Sequence, residues 1–94
     1  MTQLEREHLR NACMSILAQR PRQAFDAMAI ERYLRRLDFM ELSDAHFDID
    51  DVQDALDFLV GLEHVRIVQE RYGSTPYYKA TAAGILARER APGG

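Results

Sequence analysis

Residues Asp48 to Thr81 read DIDDVQDALDFLVGLEHVRIVQERYGSTPYYKAT. Val52, Ala55, Leu56, Leu59 and Leu62 recur at three- and four-residue intervals, the spacing of one buried helical stripe. Asp48 or Asp50 can cap its start, because a carboxylate there accepts free amide hydrogens and meets the positive end of the helix dipole. After Glu63 and His64 the period changes. Val65, Ile67 and Val68 are β-branched, and the break Gly73-Ser74-Thr75-Pro76 separates them from Tyr77-Tyr78-Lys79. The stretch predicts a helix running into a two-stranded hairpin.

Working outward, Thr2-Gln3-Leu4-Glu5 has the form of a capping box, with Glu5 placed to reach back to the cap. Leu9, Ala12, Cys13, Ile16 and Leu17 mark one face of a first helix that stops near Arg20-Pro21, since proline disfavours helical geometry in the residue before it. A second helix is expected from about Phe25 to Leu37, with Met28, Ile30, Tyr33, Leu34 and Leu37 on its apolar side and Arg32, Arg35 and Arg36 on its basic side. Between Asp38 and Ile49, Phe39, Met40, Leu42 and Phe47 are too apolar for a free loop and are expected to pack over the helices. Phe47-Asp48-Ile49 is a candidate third strand. On the far side of the hairpin, Thr81 can cap a last helix carrying Ala83, Ile85, Leu86 and Ala87 and ending near Arg90, and residues 91–94 read as a frayed tail.

Two helices, then helix, strand, turn, strand and a last helix make an α+β chain that resembles the winged helix-turn-helix superfamily, such as MarR- and PadR-type regulators. Leu56, Leu59, Val65 and Ile67 carry the resemblance, together with Tyr78-Lys79-Ala80-Thr81 and Gly84 three positions on. It covers roughly residues 4 to 90. The implied fold is a three-helix core, a two-stranded wing and a short C-terminal helix, and His64 stands where the family commonly has the glycine that ends its third helix. A weaker likeness, through the Leu56–Leu59 helix, the short wing and the Thr81–Gly84 ending, is to small winged-helix proteins of Mu-like prophages. One departure is the connection between the second and third helices. It is about a dozen residues here, against about 3–4 in a compact helix-turn-helix.

Ninety-four residues suit one domain, expected to span 1–94. No apolar run approaches the roughly 20 residues a membrane span needs, and the N-terminus lacks a signal-peptide pattern, so a cytoplasmic protein without membrane contact is expected. Cys13 is the only cysteine, which excludes an internal disulfide and a cysteine pair for zinc. No nucleophile motif or Gly-rich phosphate loop is present, and His8, His46 and His64 are scattered, so neither enzyme nor cofactor is expected. Asp44, His46, Asp48 and Asp50 alternate as metal ligands on one side of a strand would. Position 53, however, is Gln where a calcium loop wants glycine, and helix capping with a solvated surface explains the same residues.

The net charge is −3, and its distribution says more. Between Leu37 and Val65 stand nine acids and no Lys or Arg, whereas the rest of the chain holds all 12 basic residues and six acids, a formal +6. Winged-helix regulators usually place the third helix in the major groove. Here its outer face would be Asp50, Asp51, Gln53, Asp54, Asp57 and Phe58, and phosphates repel such a face. The expected role is therefore a non-enzymatic adaptor or regulator acting by protein contact or self-association, with Asp51, Asp54, Asp57 and Phe58 as the contact residues. The alternative is a DNA-binding regulator that meets DNA through Arg66, Arg71 and Lys79 on the wing with Arg32, Arg35 and Arg36 on the second helix. For those last three arginines, a plain solvated helix face stands beside phosphate contact.

Overall fold

Thr2 opens the first helix by the predicted reciprocal bonds: its hydroxyl accepts from the Glu5 amide at 3.1 Å, and its own amide donates to Glu5 Oε1 at 3.2 Å. Hydrogen bonding of the Glu5 carboxyl to the Thr2 side chain, and then to the Thr2 backbone amide, holds it below its usual pKa. In the computed structural model, which describes residues 2–36, 47–69 and 75–90, the elements run α1 (Gln3–Gln19), α2 (Ala27–Arg36), α3 (Ile49–Gly61), β1 (Val65–Gln69), β2 (Pro76–Ala80) and α4 (Ala82–Arg90). The described residues thus form an α+β fold of four helices and a two-stranded antiparallel sheet. None of these helices is long and apolar enough to cross a membrane.

One core joins the elements. Leu9, Cys13 and Leu17 of α1, Ile30 of α2, Val52 and Leu56 of α3, Val65 of β1 and Tyr78 of β2 are all essentially inaccessible to solvent. At about 1.5–3 kcal/mol for each fully buried large aliphatic side chain, this cluster supplies the main driving force for folding. No charged side chain is buried among the described residues. Leu62 and Met28 depart from expectation. Leu62 is 48% exposed because it is the C-cap of α3 rather than part of its last turn, and Met28 is 57% exposed on the first turn of α2.

α2 begins at Ala27, two residues later than Phe25, because Asp26 accepts from the Ala29 amide at 2.8 Å and so opens the helix. Phe25 is left free for a different task. Its amide donates to the Tyr78 carbonyl at 2.9 Å, and the Tyr78 amide donates back to the Phe25 carbonyl at 2.7 Å, so Phe25 flanks β2 as a one-residue third strand. The candidate strand at Phe47-Asp48-Ile49 does not form. Phe47 is irregular, Asp48 is the N-cap of α3, and Ile49 is already helical. Phe47 does pack on the core, whereas Phe39, Met40, Leu42 and Leu37 lie outside the described residues.

α3 ends in a left-handed residue. The amide of His64 donates to the Leu59 carbonyl at 3.1 Å and that of Glu63 to the Val60 carbonyl at 2.9 Å, the bonding of a Schellman ending. Glu63, with φ of 63°, holds the left-handed position where glycine is usual, one residue before the His64 that the sequence suggests. The ending is clamped from the other side of the hairpin. Thr81 donates its amide to the His64 carbonyl and its hydroxyl to the Glu63 carbonyl, while that hydroxyl oxygen also accepts from the Gly84 amide at 3.0 Å to start α4. Gly84 must be glycine here, since any Cβ would run into the backbone of His64. On α4, Ile85 packs against the core and Ala87 is half-buried, but Ala83 and Leu86 face solvent.

Candidate interaction surfaces

The outward side of α3 carries Asp50, Asp54 and Asp57, all exposed, and Phe58, which is 43% exposed. Their neighbours Val52, Ala55, Leu56 and Leu59 are drawn into the core, and the helical period turns the carboxylates away from it. Asp51, also a candidate contact residue, has a local job. Its side chain accepts from the Asp48 amide at 3.0 Å while the Asp48 carboxylate accepts from the Asp51 amide at 3.1 Å. The N-terminus of α3 is thereby closed by two carboxylates, where a helix would otherwise offer free amides and a positive dipole end to a phosphate. Asp57 accepts a hydrogen bond from the Gln53 side-chain amide at 3.1 Å, and the same amide donates to the buried Tyr78 hydroxyl.

Cations reach this face from α1, which the linear charge count does not show. Arg6 and Arg10, one turn apart, line a shallow depression with Asp51 and Asp54, floored by Leu9 and Ala55. Its volume of about 90 Å³ is well below the ~300–1,000 Å³ of a small-molecule site. Farther along, the Arg10 guanidinium lies 3.6 Å from the Phe58 ring centroid, within the range of a cation–π contact. The α1–α3 seam thus sets Arg6 and Arg10 of α1 beside Asp51, Asp54 and Phe58 of α3. The signal was present in sequence as Arg6 and Arg10 at the i, i+4 spacing beside the Leu9–Cys13 stripe.

The hairpin presents a second charged surface. Its register pairs Val65 with Ala80, Arg66 with Lys79, Ile67 with Tyr78 and Val68 with Tyr77. Val65, Tyr78 and Ala80 face the core, so alternation places Arg66, Lys79, Val68 and Tyr77 together on the other face. Two cations directly opposite each other cost stability, roughly 0.2–1 kcal/mol. Arg71 lies outside the described residues. On α2, Arg32 and Arg36 are exposed, but Arg35 is committed locally. Its Nε donates to Glu31 at 3.3 Å, its Nη2 donates to the Phe47 carbonyl at 3.1 Å, and its guanidinium stands 4.7 Å from the Phe47 ring centroid.

Cys13 is fully buried on α1, and burial pushes its thiol up to about 12, which leaves it protonated and unreactive near neutral pH. Of the alternating acids and histidine at 44 to 50, Asp44 and His46 lie outside the described residues, and Asp48 is used as the helix cap. Among the described residues, no three His, Cys, Asp or Glu side chains stand close enough to hold a metal ion. Comparison of the chain with known protein families, curated proteins and solved structures gave no match.

Proposed function

We propose that this chain is a winged-helix module working as a non-enzymatic adaptor or regulator, and that it acts through protein–protein contact on the acidic face of α3. The order helix, single-residue strand, two helices, hairpin and helix supports the winged-helix reading, as does Phe25 pairing with the outer side of β2. The observation that carries the functional reading is the state of α3. Asp50, Asp54 and Asp57 are exposed, and Asp48 and Asp51 occupy the helix N-terminus. A helix so arranged repels phosphates along its length and sets two carboxylates at the end where a phosphate would otherwise bind. It suits a partner surface carrying Arg or Lys, with Phe58 as an apolar element beside the charges.

A second reading rests on Arg66 and Lys79. Their cross-strand juxtaposition offers one anion two cations, and with the exposed Arg32 and Arg36 it describes a regulator that meets DNA through wing and α2. Such contacts fall on phosphates and not on base edges, so they carry little sequence preference. Titration of a fluorescent duplex separates the two. Under the first reading the duplex binds weakly at physiological salt, and converting Asp50, Asp54 and Asp57 to Asn strengthens binding by removing repulsion. Asp51 is left intact because it caps the helix. Under the second, Arg66→Ala or Lys79→Ala weakens binding to every sequence alike, each lowering the salt slope by about one. Tight, sequence-selective binding abolished by the Asn variant would overturn both.

A further inference from the structure

We infer that the partner of the α3 face is a second copy of this chain, docked about a two-fold axis that runs along the seam between α1 and α3. The inference rests on the protein-contact reading above and names the occupant of that same surface. Its basis is the pairing of levels within one molecule. Arg6 and Arg10 of α1 share one depression with Asp51 and Asp54 of α3, and Arg10 also covers Phe58. Positive and negative side chains therefore stand side by side at the same height along the seam.

A two-fold axis lying along that seam keeps height constant and exchanges the two sides. It sets α1 of one copy over α3 of the other, so Arg6 and Arg10 meet the partner's outward carboxylates at Asp54 and Asp57, and the same contact repeats on the other side of the axis. A two-fold axis lying across the helices instead would set α1 on α1 and α3 on α3, cation on cation and carboxylate on carboxylate. Only the first arrangement is complementary. Glu7, exposed on α1 beside these arginines, opposes the attraction in part. Phe58, 43% exposed and reached by Arg10, gives the contact apolar area to go with the charge. A standard interface takes about 800 Å² from each partner, roughly an eighth of the 6555 Å² surface of this chain. Exposed pairs of this kind are individually weak and screened by salt, so the dimer is expected to be weak and to loosen as salt rises.

Charge-reversal complementation tests the geometry directly. One variant carries Arg6→Glu and Arg10→Glu, the other Asp54→Lys and Asp57→Lys, and circular dichroism melts establish that each is folded. Should the Arg10 change unfold the protein through its loss from Phe58, Arg6→Glu alone serves in its place. Sedimentation equilibrium from about 10 µM to 1 mM is expected to show wild type approaching twice 10.8 kDa, with each variant alone at least about tenfold weaker. Mixing the two variants restores dimerisation, because every reversed side then faces a reversed side and the two native sides still face each other. Wild type that stays monomeric at all concentrations overturns the proposal. So does a dimer that survives in both variants, or a mixture that fails to associate. Titration of the protein with an arginine-bearing helical peptide keeps the two levels apart: wild type that stays monomeric yet binds the peptide on α3 has lost the second copy as partner and kept the protein-contact reading, whereas a monomer that also ignores the peptide has lost both.

Discussion

At the scale of single residues, the junction of Glu63, His64, Thr81 and Gly84 governs how the hairpin is hung on the helices. Gly84 meets the His64 backbone where a Cβ belongs, so Gly84→Ala must push apart two segments that Thr81 ties together. The expected loss is about 1–3 kcal/mol, the range for forced overpacking. Glu63 lies in the left-handed region, which costs a side-chain-bearing residue roughly 1–2 kcal/mol, and part of this returns when the side chain is removed. Glu63→Gly is therefore expected to stabilise by about 1 kcal/mol. Urea midpoints moving in opposite directions for the two variants would establish the junction; a lower midpoint for Glu63→Gly would contradict it. The sequence places Gly84 in the last helix and Thr81 as its cap, but it does not show which residue of Gly61-Leu62-Glu63-His64 turns left-handed. A glycine stands in that run at Gly61, yet the turn falls two residues later, because Leu62 carries the cap and the bonds from Glu63 and His64 close it.

Among the elements, α3 is the one whose inward side the sequence describes most fully. Val52, Ala55, Leu56 and Leu59 are buried as the period requires, since four-residue spacing leaves a helix little choice of face. Leu56→Ala or Leu59→Ala is expected to cost about 2–5 kcal/mol out of the roughly 5–15 kcal/mol available to a domain of this size. Asp54→Ala, on the exposed side, should stay within about 0.5 kcal/mol. Equal midpoints for all three variants and wild type would mean the helix is turned differently. Leu62 breaks the pattern because periodicity cannot register that the helix has already stopped. The third strand escapes sequence reading for another reason. Phe25 bonds to Tyr78 through backbone alone, across more than fifty residues, and a single residue has no alternation to detect. Phe47-Asp48-Ile49 reads as a strand in sequence because it is apolar at both ends, but the Asp48 side chain is satisfied by capping α3.

On the scale of the whole molecule, the sequence shows that acids and bases are segregated along the chain, and folding modifies the consequence. The acids between Leu37 and Val65 do put a carboxylate-bearing helix on the surface, but Arg6 and Arg10 come from the other end of the sequence to flank it. Linear counting misses them because the pairing of α1 with α3 is a tertiary fact. The arginines that form a basic face on α2 in the sequence, Arg32, Arg35 and Arg36, are all exposed, but Arg35 is also engaged locally by Glu31 and Phe47. What survives from sequence to structure is the sign of α3, and the functional proposal depends on that sign. The most direct test is an amide NMR map of the ¹⁵N-labelled protein titrated separately with an arginine-bearing helical peptide and with duplex DNA. Shifts at Asp50, Asp54, Asp57 and Phe58 with the peptide, and none there with DNA, are the predicted result. Saturable DNA-induced shifts centred on those same α3 amides would contradict it.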